Sequence, residues 1–318
     1  MIKKYIRIDL NKNTKLTYYL LNISKLLLPD VYYRLKRTGK LKTFLNDAAV
    51  IERVNYYNKL EDGFTLDAST TTIKGFKKEK KKTYFFDLLE YLRYFDPSFK
   101  VAYLFGDITK IPERPSLVKS RPIAGANANA VLMKLNKIRH FIFVDDKVAF
   151  RDKKDMLVWR GKAYGQHRID FLQQFHDKPY CNVGQTNTKG NMRVPWQKEK
   201  MSLAKQLQYK FILCIEGNDV ASNLKWVMSS NSLAFMVKPT YETWFMEGRM
   251  IPDYHYVLLK DDYSDLEEKI GYYSEHIDEA LTIIKNANAH VAQFKDKKRE
   301  DAISLLVLNK YFEKSGQL

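Results

Sequence analysis

The sequence predicts an α/β protein of two domains, on three observations: short apolar runs that alternate with helical periods, a length of 318 residues, and a charged break near the middle. The clearest stretch is KFILCIEGNDVASNLKWVMSSNSLAFMVKPTYETWFMEG, Lys210 to Gly248, which reads as strand, glycine turn, helix, strand, turn, helix. Phe211 to Ile215 is an apolar run of the kind a sheet buried on both faces requires, and Gly217 permits a sharp turn after Glu216. Ser222 or Asn223 then caps a helix from Leu224, gathering N–H groups where an anion such as a diphosphate could sit. The same residues also fit an ordinary βαβ unit with a turn glycine.

Taken in order, Thr14 to Leu28 carries Leu16, Tyr19, Leu20, Ile23, Leu26 and Leu27 at helical spacing, and Pro29 ends it. With the basic, aromatic YYRLKRTGKLK that follows, this is either an amphipathic surface anchor or a helix covering a core. The run Lys74 to Lys82 reads as a solvated loop. Val101 to Phe105 and His140 to Val144 are expected strands, the first ending at Gly106-Asp107, with a Pro-, Gly- and Asn-rich loop and a helical stretch between them. The segment Asp145 to Asp155 is the expected junction, giving domains 1–150 and 151–318. Beyond it come strand Met156 to Trp159, a helix near His167 to Phe175, strand Phe211 to Ile215, a helix, strand Leu233 to Val237, a helix, strand Tyr256 to Leu259, and helices to the end. Repeated βα units imply a parallel sheet, and two such domains would face each other across a cleft.

Composition excludes some classes. No apolar run approaches the roughly 20 residues a membrane helix needs, and Lys12, Lys15 and Lys25 interrupt any signal-peptide pattern, so a cytoplasmic location is expected. Cys181 and Cys214 form neither a disulfide framework nor a metal-ligand spacing. The net charge is +17; residues 1–150 hold 29 basic against 15 acidic residues, or +14. Such a field attracts polyanions, whether nucleic acid, an anionic membrane or a phosphorylated glycolipid. GxGxxG and GxxxxGK[ST] are both absent, which argues against a dinucleotide-dependent dehydrogenase and a P-loop enzyme.

WRGKAYGQHRID, Trp159 to Asp170, sets Arg160, Lys162 and Arg168 around Gly161 and Gly165 at a strand end, where open α/β sheets bind ligands. Guanidinium forks suit phosphate oxygens; solvated surface cations would have the same spacing.

WRGKAYGQHRID, followed by IEGNDVASNLKWVMSSNSLAF and KPTYETWFMEG, resembles glycosyltransferase family 90, and within it the bacterial lipopolysaccharide-core members, from about Tyr103 to about Phe312. The resemblance implies a GT-B architecture, two Rossmann-like domains, and inverting transfer from a UDP-sugar bound mainly by the second. It places donor contacts on Arg160, Gly161, Lys162 and Arg168, and on the loop Gly217, Asn218, Asp219, Val220, Ala221, Ser222 and Asn223. Lys162 stands where eukaryotic relatives often carry serine, and Asn223 where many members carry a basic residue, so Lys162 could supply the missing charge. Asp107, in YLFGDITKIP, matches the family's catalytic base; by itself it would read as a turn aspartate. Glu216 and Glu242 are further candidates for donor hydroxyls. No DxD occurs, so no metal and no cofactor beyond the UDP-sugar substrate is expected. The expected partners are a UDP-sugar, a lipopolysaccharide-core or capsule-type glycan, and an anionic inner membrane surface contacted peripherally. The rival readings are a basic nucleic-acid-binding protein, which lacks a recognised module, and an inactive sugar-binding relative.

Overall fold

The computed structural model describes residues 6–8, 15–78, 82–188 and 194–318. The chain begins with β1 (Ile6–Ile8), α1 (Lys15–Leu26) and α2 (Asp30–Leu41), the two helices separated at Pro29, which has no N–H to give a continuing helix. α3 (Ala48–Tyr57) is capped by the Asp47 carboxylate, which accepts from the N–H groups of Ala49 and Val50 at 3.0 and 3.1 Å. α4 (Lys82–Leu92) precedes β2 (Tyr103–Leu104), β3 (Ser116–Val118), β4 (Ser120–Pro122), β5 (Ala130–Leu132), α5 (Lys137–His140) and β6 (Val144–Asp146). Then follow β7 (Lys154–Gly161), α6 (Gln166–Phe175), β8 (Cys181–Gln185), α7 (Leu203–Gln206), β9 (Tyr209–Leu213), α8 (Leu224–Met228) and β10 (Leu233–Met236). β11 (Tyr241–Thr243), β12 (Val257–Leu258), α9 (Leu266–Glu275), α10 (Ile277–Ala292) and α11 (Lys297–Lys314) complete the order.

The chain forms two compact units. The first holds residues 140–239 and 249–293 together with β1, and its centre is a parallel sheet in the order β12-β10-β9-β7-β8. Every residue of β9 and β10 is buried, which is why Phe211–Leu213 and LAFM are apolar without alternation, and the one charge in these strands, Lys210, is paired with Asp155 at 2.6 Å. Phe171, Leu172, Phe211, Phe235, Leu266 and Ile283 belong to the core that covers the sheet. The first strand of the sheet, β7, lies between β8 and β9, so chain order reverses direction at β7 and β9.

The second unit comprises residues 11–139, 240–248 and 294–318. It holds the parallel set β2-β3-β5 and the antiparallel pair β4-β11, packed with α3, α4 and α11. Tyr57 stacks on Trp244 with centroids 3.8 Å apart, and Arg53 and Lys134 each reach Glu300 at 2.6 Å. Charges buried this deeply are tolerated because each has a partner of opposite sign.

Several expectations change. His140 closes α5 and Val144 opens β6, so the strand expected over His140 to Val144 is not formed. Residues 115–136, expected as loop and helix, contain β3, β4 and β5, and the helix is confined to Lys137–His140. KPTYETWFMEG ends in β11 and a 3-10 turn at Glu247–Arg249 instead of a helix. The charged segment expected as a junction lies within the first unit because Asp146 is buried there against Lys153 at 2.7 Å and accepts from Asn231 N–H at 3.0 Å. Thr14 and residues 79–81 of the lysine run lie outside the described residues, and Lys82 opens α4.

Candidate active site

In an open α/β sheet, ligands bind outside the carboxyl ends of the strands at the point where strand order reverses. Here that point is the pair of loops leaving β7 and β9, and Arg168 of α6 ties them together. Its Nη1 donates to Lys162 O at 2.7 Å, its Nε to Glu216 O at 2.7 Å and its Nη2 to Ile215 O at 2.9 Å. The guanidinium lies 5.4 Å from the Trp159 ring centroid. His167 adds a second link, with Nε2 2.8 Å from Glu216 O.

The glycines follow from this crowding. A Cβ on Gly161 would come within 2.4 Å of the Trp159 ring, and one on Gly217 within 3.3 Å of Arg168 Nη2. Arg168 therefore acts first as a positioning residue, with three N–H donors committed to carbonyls, whereas the sequence reading expected its fork to be spent on phosphate.

The loop from Gly217 to Asn223 closes on itself through Gly217 N–H to Asp219 O at 3.0 Å. Asn218 is exposed, Asp219, Val220 and Ala221 are buried, and Ser222 is half-buried. Asn223 occupies the N-cap position of α8 but makes no side-chain cap bond; its Nδ2 donates to Leu213 O at 2.8 Å, joining the helix start to the strand end. With five residues, α8 has a weaker macrodipole than a full helix, so charge at this end falls more to side chains.

Lys162 is exposed, its Nζ 5.7 Å from the Tyr164 ring centroid. Arg160 turns along the sheet instead, donating to Asn182 O at 2.7 Å and Asn182 Oδ1 at 2.6 Å. Lys198 shares Asn182 Oδ1 at 3.4 Å, and its stem lies across Gly184, where a Cβ would stand 2.8 Å away. Burial lowers the pKa of both cations, and for Lys198 the neighbouring Arg160 lowers it further. Sequence reasoning missed Asn182 and Lys198, which lie in polar stretches without a motif.

Asp107 belongs to the second unit. It follows Gly106, whose φ of 129° favours glycine, and its Oδ1 pairs with Lys119 Nζ at 2.6 Å. Lys119 is almost wholly buried while the Asp107 side chain keeps 28% exposure, so a buried ammonium holds a carboxylate at the surface. The carboxylate lines an open cleft of about 820 Å³ with Thr109, Lys110, Arg114 and Asp67. Hydrogen bonds from Ser69 and Thr70, with Arg114 close by, hold the Asp67 carboxyl down at about 2. Such a cleft offers polar groups of both signs to a hydroxylated ligand, with Asp107 at its wall.

Glu242 is placed differently from the expectation. It is buried in the second unit, where Arg121 Nε donates to it at 2.8 Å and the Tyr56 hydroxyl also donates. A Cβ on Gly248 would stand 2.7 Å from its Oε2. Its carboxylate is committed to holding β4, β11 and α3 together. Among the described residues no group of three or more His, Cys, Asp or Glu is arranged to hold a metal ion.

The model of Glycosyl transferase family 90 matches residues 127–311, more than half of the chain. The chain belongs to this family. It is also similar to O-glucosyltransferase LpsA of Dichelobacter nodosus, with 44% identity over 303 residues that cover 94% of this chain and 95% of the relative. The likeness therefore reaches into the first hundred residues, beyond the Tyr103 boundary that the motifs alone suggest. This family 90 protein is a glycosyltransferase, and no helix among its described residues is long and apolar enough to cross a membrane.

Proposed function

We propose that this enzyme has a GT-B architecture and transfers a sugar, with inversion, from a UDP-sugar to a hydroxyl of a lipopolysaccharide-core or capsule-type glycan. The observation that carries the donor site is Arg168, which ties the loops after β7 and β9 at the point of strand reversal. The name of the similar O-glucosyltransferase makes UDP-glucose the first donor to test.

In this reading the backbone of Gly217 to Asn223 and the Lys162 ammonium receive the diphosphate, and Arg160 with Lys198 adds positive potential along β7 and β8. Asp107 accepts the acceptor proton as the hydroxyl oxygen attacks the anomeric carbon from the face opposite UDP. The bond from that carbon to the diphosphate oxygen breaks, and UDP departs with the electron pair. Lys119 orients the carboxylate through its 2.6 Å contact. Leaving-group charge falls to side chains and backbone N–H groups, so the reaction proceeds without a divalent ion. The enzyme works at the cytoplasmic side of the membrane that carries its acceptor.

A panel of UDP-sugars tests the proposal, scored for UDP release and for thermal stabilisation. One donor should give both signals, and turnover should rise with a core-type acceptor. Absence of stabilisation by UDP and by every UDP-sugar would overturn the reading.

A further inference from the structure

α1 is turned inside out relative to an ordinary surface helix. Toward the protein it presents mainly polar groups: the Tyr18 hydroxyl donates to Asp87 Oδ1 at 2.7 Å, Asn22 is buried, and Lys25 Nζ meets Glu90 at 2.6 Å, with Tyr19 set edge-on to Phe86 beside them. Toward solvent it presents Leu16, Leu20, Ile23 and Leu27, with exposures of 71%, 59%, 52% and 83%. Their spacing of four, three and four residues sets them in one stripe along the helix. Leu28 in the turn that follows, and Val31, Tyr32 and Leu35 on α2, are exposed as well. An exposed apolar band of this length on a soluble surface marks a contact.

The same hairpin is strongly basic. Residues 15–45 carry seven cations, Lys15, Lys25, Arg34, Lys36, Arg37, Lys40 and Lys42, against the single carboxylate of Asp30. Lys36 and Lys42 are exposed on α2 and its end. Exposed Tyr32, with Lys36 Nζ 4.2 Å from its ring centroid, has the amphipathic character of a side chain at a headgroup boundary.

We infer that the outward face of α1 and α2 docks the enzyme on an anionic lipid bilayer. Apolar residues on one face with cations alongside are what an interfacial helix needs, since the side chains enter the acyl boundary while ammonium and guanidinium groups meet lipid phosphates. The inference deepens the proposed function and rests on it for its purpose, because it places the enzyme on the surface that carries a lipid-linked acceptor. The links of Tyr18 to Asp87 and of Lys25 to Glu90 hold the helix to the protein, with Asn22 buried between them, and leave the leucines outward.

The experiment is flotation of the full-length protein with phosphatidylcholine vesicles, with and without phosphatidylglycerol, at about 0.1 M and about 1 M salt, where the Debye length falls from about 10 to about 3 Å. The wild type should float with anionic vesicles at low salt and less at high salt. Serine at Leu16, Leu20, Ile23 and Leu27 together should weaken partitioning by at least about a hundredfold. Lys36→Ala and Lys42→Ala should each weaken it about fivefold. Because all these side chains are solvent-exposed, circular dichroism and melting temperature should stay near wild type, which separates lost docking from lost fold.

Failure of the wild type to bind anionic vesicles at low salt, or wild-type binding by the four-serine protein, overturns the inference. So does a wild-type dimer that the four serines convert to monomer without any vesicle binding, which would make the stripe an interface between copies. Stabilisation by UDP, measured on both proteins in the absence of lipid, should be equal. Its absence from both would count against the transferase reading while leaving the docking result to stand on flotation alone.

Discussion

Replacing Arg168 by alanine removes one side chain from the centre of the candidate donor site and, with it, three hydrogen bonds at 2.7, 2.7 and 2.9 Å to the carbonyls of Lys162, Glu216 and Ile215. Bonds of this charge-assisted kind contribute about 1.5–3 kcal/mol each. The Lys162 carbonyl is exposed and can turn to water, and the guanidinium itself is half-buried, so the net loss should be about 2–4 kcal/mol. In domains of about 150–250 residues each kcal/mol moves the melting temperature by about 2–4 °C, giving a fall of about 5–15 °C. Arg168→Lys keeps the charge but can reach only one or two of the carbonyls, so it should recover less than half of that loss. Calorimetric titration with UDP should show at least about a tenfold weaker Kd for the alanine variant, because the loops proposed to receive the diphosphate are no longer held to each other. An alanine variant that melts with the wild type and binds UDP with unchanged affinity would refute the role assigned to Arg168.

Burial raises the Asp87 carboxyl to about 6, with Lys137 opposing the shift. A carboxyl raised in the fold contributes stability that is complete below its unfolded pKa and is lost as pH rises through about 6; the wild type should therefore lose up to about 3 kcal/mol between about pH 4 and 6. Asp87→Asn should flatten that part of the stability profile, and parallel profiles would contradict the assignment. Glu242→Gln breaks a buried ion pair with Arg121 and should cost about 3–5 kcal/mol of stability, while any variant protein that remains folded should bind UDP normally; a weakened UDP titration without destabilisation would return Glu242 to the donor site. Transfer should continue in EDTA, and activity lost to chelation and restored by manganese would count against a metal-independent reaction.

What the sequence makes legible follows from burial. β7, β9 and β10 are visible because a parallel strand covered on both faces must be apolar throughout, and Leu157–Trp159, Phe211–Leu213 and Leu233–Met236 are. β8 reads CNVGQ and sits at the sheet edge, where no apolar run is demanded. β3, β4 and β5 are three residues each and lie in a Pro-, Gly- and Asn-rich stretch that suggested loop; Arg121 is buried because Glu242, far along the chain, neutralises it and the carbonyls of Tyr56, Tyr57 and Ala130 accept its other N–H groups. Helical spacing located α1 but is the same whether leucines point inward or outward, and the contacts of Tyr18 and Lys25 with α4 and the burial of Asn22 show which face the protein takes. The glycines and cations of WRGKAYGQHRID fall at the end of β7 and the start of α6, as the sequence reading expected. That Arg168 is occupied by carbonyls and Arg160 by Asn182 depends on loops and strands brought together by the sheet, which local spacing does not encode.

The central claim is acceptor-dependent sugar transfer with Asp107 as the base, and its most direct test is single-turnover transfer by the wild type and by Asp107→Asn at saturating UDP-sugar. The cleft wall position of Asp107 and its 2.6 Å pairing with Lys119 predict a folded variant with wild-type UDP affinity and a transfer rate lower by at least about 10²–10⁴-fold, the contribution typical of a positioned general base. Transfer by Asp107→Asn at a rate near wild type would contradict the account.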